Sequence, residues 1–131
     1  PVEIGWSAIN RTPLIRIPAA TGQETRIELR SPDPTANPYI TFAVFLAAGL
    51  DGMKKSLTPP SSIENIKEKD NICKLPKSLD EAMKEFEKDE FIKKVVGKHF
   101  AEQYIHTKKA EWNEFCTQVT PWERENYLYR Y

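Results

Sequence analysis

The sequence predicts an α+β fold, with short antiparallel strands over about residues 1–31 followed by helices over about residues 37–131. Three observations carry that expectation. Apolar and polar residues alternate with period two before position 31, and "SPDPTANP" then sets three prolines in eight residues. Beyond it, apolar residues recur at helical spacing. At 131 residues, 40% of them apolar, the chain has enough material for one hydrophobic core, so a single domain is expected.

The opening "PVEIGWS" alternates Val2, Ile4 and Trp6 with Glu3, Gly5 and Ser7, the pattern of a half-buried strand. "AINRTP" interrupts it. "LIRIPAA" then places Ile15 and Ile17 on one face and Leu14 and Arg16 on the other. "ATGQE" reads as a turn into "TRIELR", Thr25 to Arg30, where Arg26, Glu28 and Arg30 take every second position. The links are too short for an ordinary crossover, which predicts antiparallel neighbours.

Asn37 and Pro38 form a cap followed by proline at the first helical position, opening a helix to about Lys55. Tyr39, Ile40, Phe42, Val44, Phe45, Leu46 and Leu50 leave it almost no polar face, so it is expected to be central and buried. The polar stretch from Ser61 to Lys77 reads as an exposed, mobile loop. "SLDEAMKEFEKDE" reads as a helix whose Ser78 cap, with Glu81 three residues on, has the spacing of a capping box, and whose apolar stripe is Leu79, Met83 and Phe86. A short helix from about Phe91 to Val96 ends at Gly97, and a long one runs from about Lys98 to Gln118. Thr120 and Pro121 repeat the cap signal before the aromatic ending "WERENYLYRY".

Nineteen basic and nineteen acidic residues cancel, which argues against nucleic acid or an anionic membrane as partner. The longest apolar run, Tyr39 to Leu50, is shorter than the roughly 20 residues that span a bilayer. Cys73 and Cys116 lack the spacing of a zinc site or disulfide framework, which fits a reducing, cytoplasmic setting. The chain starts in a strand with neither Met nor leader, as a piece of something larger would. Positive charge is also divided. Arg11, Arg16, Arg26 and Arg30 fall within the first thirty positions, where Lys is absent, whereas residues 31–123 hold thirteen Lys and no Arg. Guanidinium is a rigid fork suited to carboxylate and phosphate, so the N-terminal part is the candidate for handling anions.

The three alternating charges of "TRIELR" have two readings. Polar positions on one side of an antiparallel strand ordinarily form a solvated face. Here they are all arginine or glutamate, and Arg16 and Arg11 add to them. Four guanidiniums around one carboxylate call for an anion, and a polyanion with a divalent metal would balance them. Residues two apart on a strand stand ~7 Å from each other, so Glu28 should be ionised with a lowered pKa. His99 and His106 are two helical turns apart, ~10.5 Å, too far to share a metal. Asp33, Asp51, Glu111 and Glu114 show no pairing for acid–base work, and Trp112, Phe115 and Trp122 suit a core or an interface.

"NRTPLIRIP", Asn10 to Pro18, and "TRIELRSPDPTANPYITFAVFLAAGLDGMKKSLTPP", Thr25 to Pro60, closely resemble the C-terminal part of the catalytic domain of bacterial-type, type I, glutamine synthetases. "LPKSLDEAMKEFEKDEFI" and "EWNEFCTQVTPWERENYLYRY" extend the resemblance to nearly the whole of residues 1–131. It implies an ATP-dependent ligase of nitrogen metabolism that phosphorylates the γ-carboxylate of L-glutamate. Ammonia then displaces phosphate to give glutamine, ADP and phosphate. Carried over residue by residue, it implies that Arg11 contacts glutamate and the ATP phosphates, Arg16 the ATP phosphates and Arg26 the nucleotide. Arg30 would bind glutamate, and Glu28 would ligate Mg²⁺ or Mn²⁺. Type I members assemble as two stacked hexameric rings, which implies self-association through an ending such as "WERENYLYRY".

Departures from the family pattern narrow these implications. Between Tyr39 and Tyr104 there is no tyrosine, so the adenylylation control of some members is not expected. Gln23 stands where a nucleotide-contacting lysine can occur. The family's upstream metal glutamates and histidine, its nucleotide pocket and its N-terminal domain are missing, so the 131 residues alone are expected to be inactive. A γ-glutamyl-amine ligase of the same family and a non-catalytic nucleotide-binding module are the competing readings.

Overall fold

Alternation does produce strands, but the first pair runs the other way round from the expectation. The computed structural model describes residues 2–66 and 72–130. The chain divides into two compact units, Pro1–Pro76 and Lys77–Tyr131. In the first, β1 (Glu3–Ser7), β2 (Pro13–Arg16) and β3 (Glu28–Leu29) form one sheet in the order β1-β2-β3. The β2–β3 pair is antiparallel, as expected, but β1 and β2 are parallel, with Glu3 opposite Pro13 and Ser7 opposite Arg16.

The short link from Ala8 to Thr12 achieves this parallel return through side-chain hydrogen bonds. The way back along β1 is only four residues, ~13 Å, within reach of a nearly extended link. Ser7 Oγ accepts from the Ile9 and Asn10 amides at 3.0 and 2.6 Å, Asn10 Oδ1 accepts from the Thr12 amide at 3.1 Å, and Thr12 Oγ1 donates to Glu3 at 3.0 Å. Ile17 N then donates to Ser7 O at 2.9 Å. These local bonds satisfy a backbone that would otherwise need a crossover helix.

The third strand is shorter than Thr25–Arg30, because Gly22–Glu24 forms a 3₁₀ turn and ladder pairing is confined to Glu28 and Leu29. The Arg30 amide extends the contact by donating to Leu14 O at 2.9 Å. The expected loop from Ser61 to Lys77 is also corrected where it is described. Ser62, Ile63 and Ile72 are buried, Ile63–Asn65 is a 3₁₀ turn, and Ile4 N donates to Cys73 O while Leu75 N donates to Val2 O. Polarity misled there, since main-chain pairing to β1 does not depend on side-chain type. Residues 67–71 of that stretch lie outside the described residues.

Helix α1 (Pro38–Lys54) starts as expected, with Asn37 Oδ1 accepting from the Tyr39 and Ile40 amides at 3.0 and 3.3 Å and Pro38 at its first position. Its expected burial is not found. Tyr39 is 85% exposed and Phe42, Leu46 and Leu50 each more than half, because three short strands offer too little surface to cover a helix apolar all round. An open groove of about 340 Å³ between the β3 region and the start of α1 is lined by Ile27, Leu29, Pro32, Phe42 and Phe45.

The second unit is helical: α2 (Leu79–Lys88), α3 (Glu90–Val96), α4 (Lys98–Cys116) and α5 (Pro121–Tyr127). Ser78 Oγ accepts from the Glu81 amide, but Glu81 reaches back to the Lys77 amide, one residue beyond that of Ser78, so the expected box is not closed. Gly97 sits at φ 86°, a conformation that favours glycine, between α3 and α4. Met83 and Ala101 are buried, Phe86 and Phe100 flank Tyr104 at ring separations of 5.8 and 5.6 Å, and Lys109 pairs with Glu87 across α2 and α4. A complete capping box at Thr120 and Glu123 opens α5. Among the described residues, no helix is long and apolar enough to cross a membrane.

Candidate functional site

Directly opposed residues of an antiparallel ladder share a face, and Arg16 and Glu28 are opposed on β2 and β3. Their side chains meet, with Arg16 Nη1 3.2 Å from Glu28 Oε2. Arg26, two residues before Glu28, closes on the other oxygen, its Nε and Nη2 each 3.1 Å from Oε1, while its Nη1 donates to Glu24 O at 3.2 Å. One carboxylate thus lies between two guanidinium forks.

The two forks differ in setting. The side chains of Arg16 and Glu28 are 25% and 27% exposed, whereas that of Arg26 is 52% exposed. A freely solvated face would not shield Arg16 and Glu28 so far. Partial desolvation by itself raises the Glu28 carboxyl, but the hydrogen bonds and charges of Arg16 and Arg26 outweigh it and leave the pKa below the ordinary carboxylate value. The carboxylate of Glu28 is thereby favoured in its ionised form, as the alternation of charges predicts.

Two guanidinium donors beside it find no acceptor among the described residues. The Nε atoms of Arg16 and Arg30 are buried and have no hydrogen-bond partner among the described residues. Buried donors of this kind are costly unless an acceptor completes them, and a phosphate or carboxylate oxygen has the right chemistry. Arg11, by contrast, lies exposed on the β1–β2 link, outside the ion pairs around Glu28. The fold thus joins Arg16, Arg26 and Glu28 directly, sets Arg30 at the end of the same ladder, and holds Arg11 on a neighbouring loop.

Glu28 suits one ligand position of a hard divalent cation. Among the described residues, no group of three or more His, Cys, Asp or Glu side chains is gathered to hold a metal.

Sequence reasoning missed a second carboxylate. Glu64 accepts a hydrogen bond from Ser7 and approaches the Asn10 amide at 3.4 Å, 57 and 54 residues away in sequence. The Ser7 bond foremost, against a partial desolvation effect, lowers its pKa to about 2. No periodicity marks a contact of that separation.

The model of the glutamine synthetase catalytic domain family matches residues 1–127. The chain belongs to the glutamine synthetase family. Over 136 residues it is 49% identical to glutamine synthetase of Methanocaldococcus jannaschii, covering 98% of this chain and 30% of that relative. It is 47% identical to the enzyme of Thermotoga maritima and 46% to that of Clostridium saccharobutylicum, covering 98% and 100% of this chain and 31% of each relative. The chain therefore spans about a third of the length of the glutamine synthetases it matches. A solved structure described as a GmaS/ADP complex superposes with a TM-score of 0.83 at 37% identity, over 98% of this chain and 30% of the other. Plasmodium falciparum glutamine synthetase shares the fold, with a TM-score of 0.79 at 20% identity over 96% of this chain and 34% of the other. The α+β arrangement of a small sheet followed by helices is thus that of a glutamine synthetase catalytic-domain segment.

Proposed function

We propose that residues 1–131 are the C-terminal segment of the catalytic domain of a glutamine synthetase, which ligates ammonia to L-glutamate at the expense of ATP in the cytoplasm. The observation that carries this is Glu28 held between Arg16 and Arg26, with the Arg16 and Arg30 Nε donors buried and without a partner among the described residues. Phosphoryl transfer between two anions needs charge neutralisation and in-line positioning more than a nucleophilic side chain. Arg16 and Arg26 supply positive charge for the ATP phosphates and nucleotide, Arg30 pairs with the glutamate carboxylate, and Arg11 reaches both substrates from the β1–β2 link. No residue of the segment is assigned as a catalytic acid, base or nucleophile.

Glu28 would hold Mg²⁺ or Mn²⁺ together with ligands from outside residues 1–131, and the ion supplies neutralisation of phosphate charge when bound. Arg16 and Arg26 keep the carboxylate ionised and aimed for that task. The exposed apolar side chains of α1, and Trp122, Leu128 and Tyr129 near the end of the second unit, are where the remaining parts of the enzyme and of an oligomer would pack.

The 37% identity to a GmaS/ADP complex supports nucleotide binding, and a γ-glutamyl-amine ligase of the same family is the second reading. Steady-state assays of the complete enzyme with ammonia and with methylamine separate the two. Glutamate- and ATP-dependent ADP release is expected to be faster with ammonia. A preference for methylamine supports the second reading, and ADP release with neither amine rules out both.

A further inference from the structure

Ser7 is fully buried, and its hydroxyl is fully used. Its oxygen accepts from the Ile9 amide at 3.0 Å and the Asn10 amide at 2.6 Å, so its one proton must go to another acceptor. Glu64 Oε1 takes that proton and also faces the Asn10 amide at 3.4 Å. The carboxylate therefore closes a network whose other members set the path of the residues immediately before Arg11.

Glu64 is itself firmly seated. It lies in the 3₁₀ turn Ile63–Asn65, whose Ile63 is buried at 6% exposure, with its Cγ2 against Gly5 of β1. Just upstream, Trp6 Nε1 donates to Pro60 O at 2.7 Å. Two points on β1 thus anchor the segment that carries Glu64, and Glu64 in turn ties down the link between β1 and β2.

We propose that Glu64 is a positioning residue, pinning the Ser7–Asn10 turn and with it the place from which the Arg11 guanidinium reaches substrate. The inference rests on Arg11 being a substrate-binding residue, as proposed above. Glu64 itself touches no reacting atom. Its effect passes through Ser7 and the Asn10 amide, so it should alter substrate binding rather than the chemistry of phosphoryl transfer.

The test is a double-mutant cycle in the complete enzyme with Glu64→Ala and Arg11→Ala, read as KM for glutamate and for ATP and as kcat. Glu64→Ala is expected to raise, by about tenfold, whichever KM Arg11→Ala raises, with a smaller change in kcat. The double variant should be no weaker than Arg11→Ala alone. Additive effects, or an unchanged KM in Glu64→Ala where Arg11→Ala shifts it, overturn the positioning role. No KM effect of Arg11→Ala overturns the assignment of Arg11 instead. Amide hydrogen exchange at Asn10 and Thr12 reports on the turn independently of activity: faster exchange in Glu64→Ala is expected, and unchanged exchange overturns the proposal. Glu64→Gln, which retains an acceptor for the Ser7 hydroxyl, should recover most of the KM, and it serves as the reporting variant if Glu64→Ala does not fold.

Discussion

Arg16 and Glu28 face each other across the β2–β3 ladder, and Arg16 Nη1 lies 3.2 Å from Glu28 Oε2. The carboxylate also bonds Arg26, so one acidic side chain fixes the aim of two basic ones. Replacing Glu28 is therefore read at the metal. In the complete enzyme, Glu28→Gln is expected to weaken activation by Mg²⁺ or Mn²⁺ by roughly 10–100-fold while the fold survives. Metal titrations of ATP-dependent turnover, with circular dichroism as the control, measure this. An unchanged metal dependence would remove Glu28 from the ligand set.

Acid should loosen the first unit partly through Glu64. Its folded pKa, about 2, lies below the ordinary value of 4.5, chiefly because Ser7 donates to the carboxylate. A group depressed in this way contributes stability that is fully present above about pH 4.5 and is lost as pH falls through about 2. Glu28 and Asp33 are shifted in the same direction, so the comparison must be with Glu64→Gln, which cannot titrate. Urea midpoints of the native chain and the variant should differ most near pH 6 and converge toward pH 2. A gap independent of pH would contradict the assignment.

Gly5 is needed for close approach rather than for backbone freedom. A Cβ placed there would meet Ile63 Cγ2 at 2.7 Å. Gly5→Ala should cost about 1–3 kcal/mol of stability by overpacking. Pairing it with Ile63→Ala, which removes the opposing methyl, should cost less than the two separate losses added together. Denaturant unfolding of the three variants decides this, and strict additivity would place the two residues out of contact.

The last helix depends on a local device. Thr120 Oγ1 accepts from the Glu123 amide at 3.2 Å, and Glu123 returns to the Thr120 amide at 2.8 Å. Thr120→Ala should cost about 1 kcal/mol and speed amide exchange in the first turn of α5, leaving exchange in α2 unaffected. Equal exchange in the variant and the native chain would show that the box does not hold the helix.

Isolated residues 1–131 should form neither glutamine nor γ-glutamyl hydroxamate, because they span only 30% of the glutamine synthetase they match at 49% identity. Turnover above background, measured with ATP, glutamate and Mg²⁺, would contradict the assignment of the remaining ligands to other parts of the enzyme.

Legibility followed distance along the chain. Caps at Asn37, Ser78 and Thr120 were readable because a cap is a contact between a side chain and an amide two or three residues away. The Arg26–Glu28 contact was readable for the same reason, since period two places both on one face. Ser7 with Glu64 was not, and neither was the parallel pairing of β1 and β2. Alternation specifies which residues share a face, yet strand direction depends on how the link between strands is held.

By itself, the sequence determined the ordered set of strands and helices, the helix starts, and a cluster of arginines about one ionised glutamate, because propensity, capping and periodicity act within a few residues. Tertiary structure alone decided that β1 runs parallel to β2, that Ser62–Glu64 is docked on β1, and that α1 is left largely uncovered in its unit. Each of these depends on which surfaces are present to meet. Burial and pairing are properties of two partners, and one strand or helix carries the pattern of only one of them.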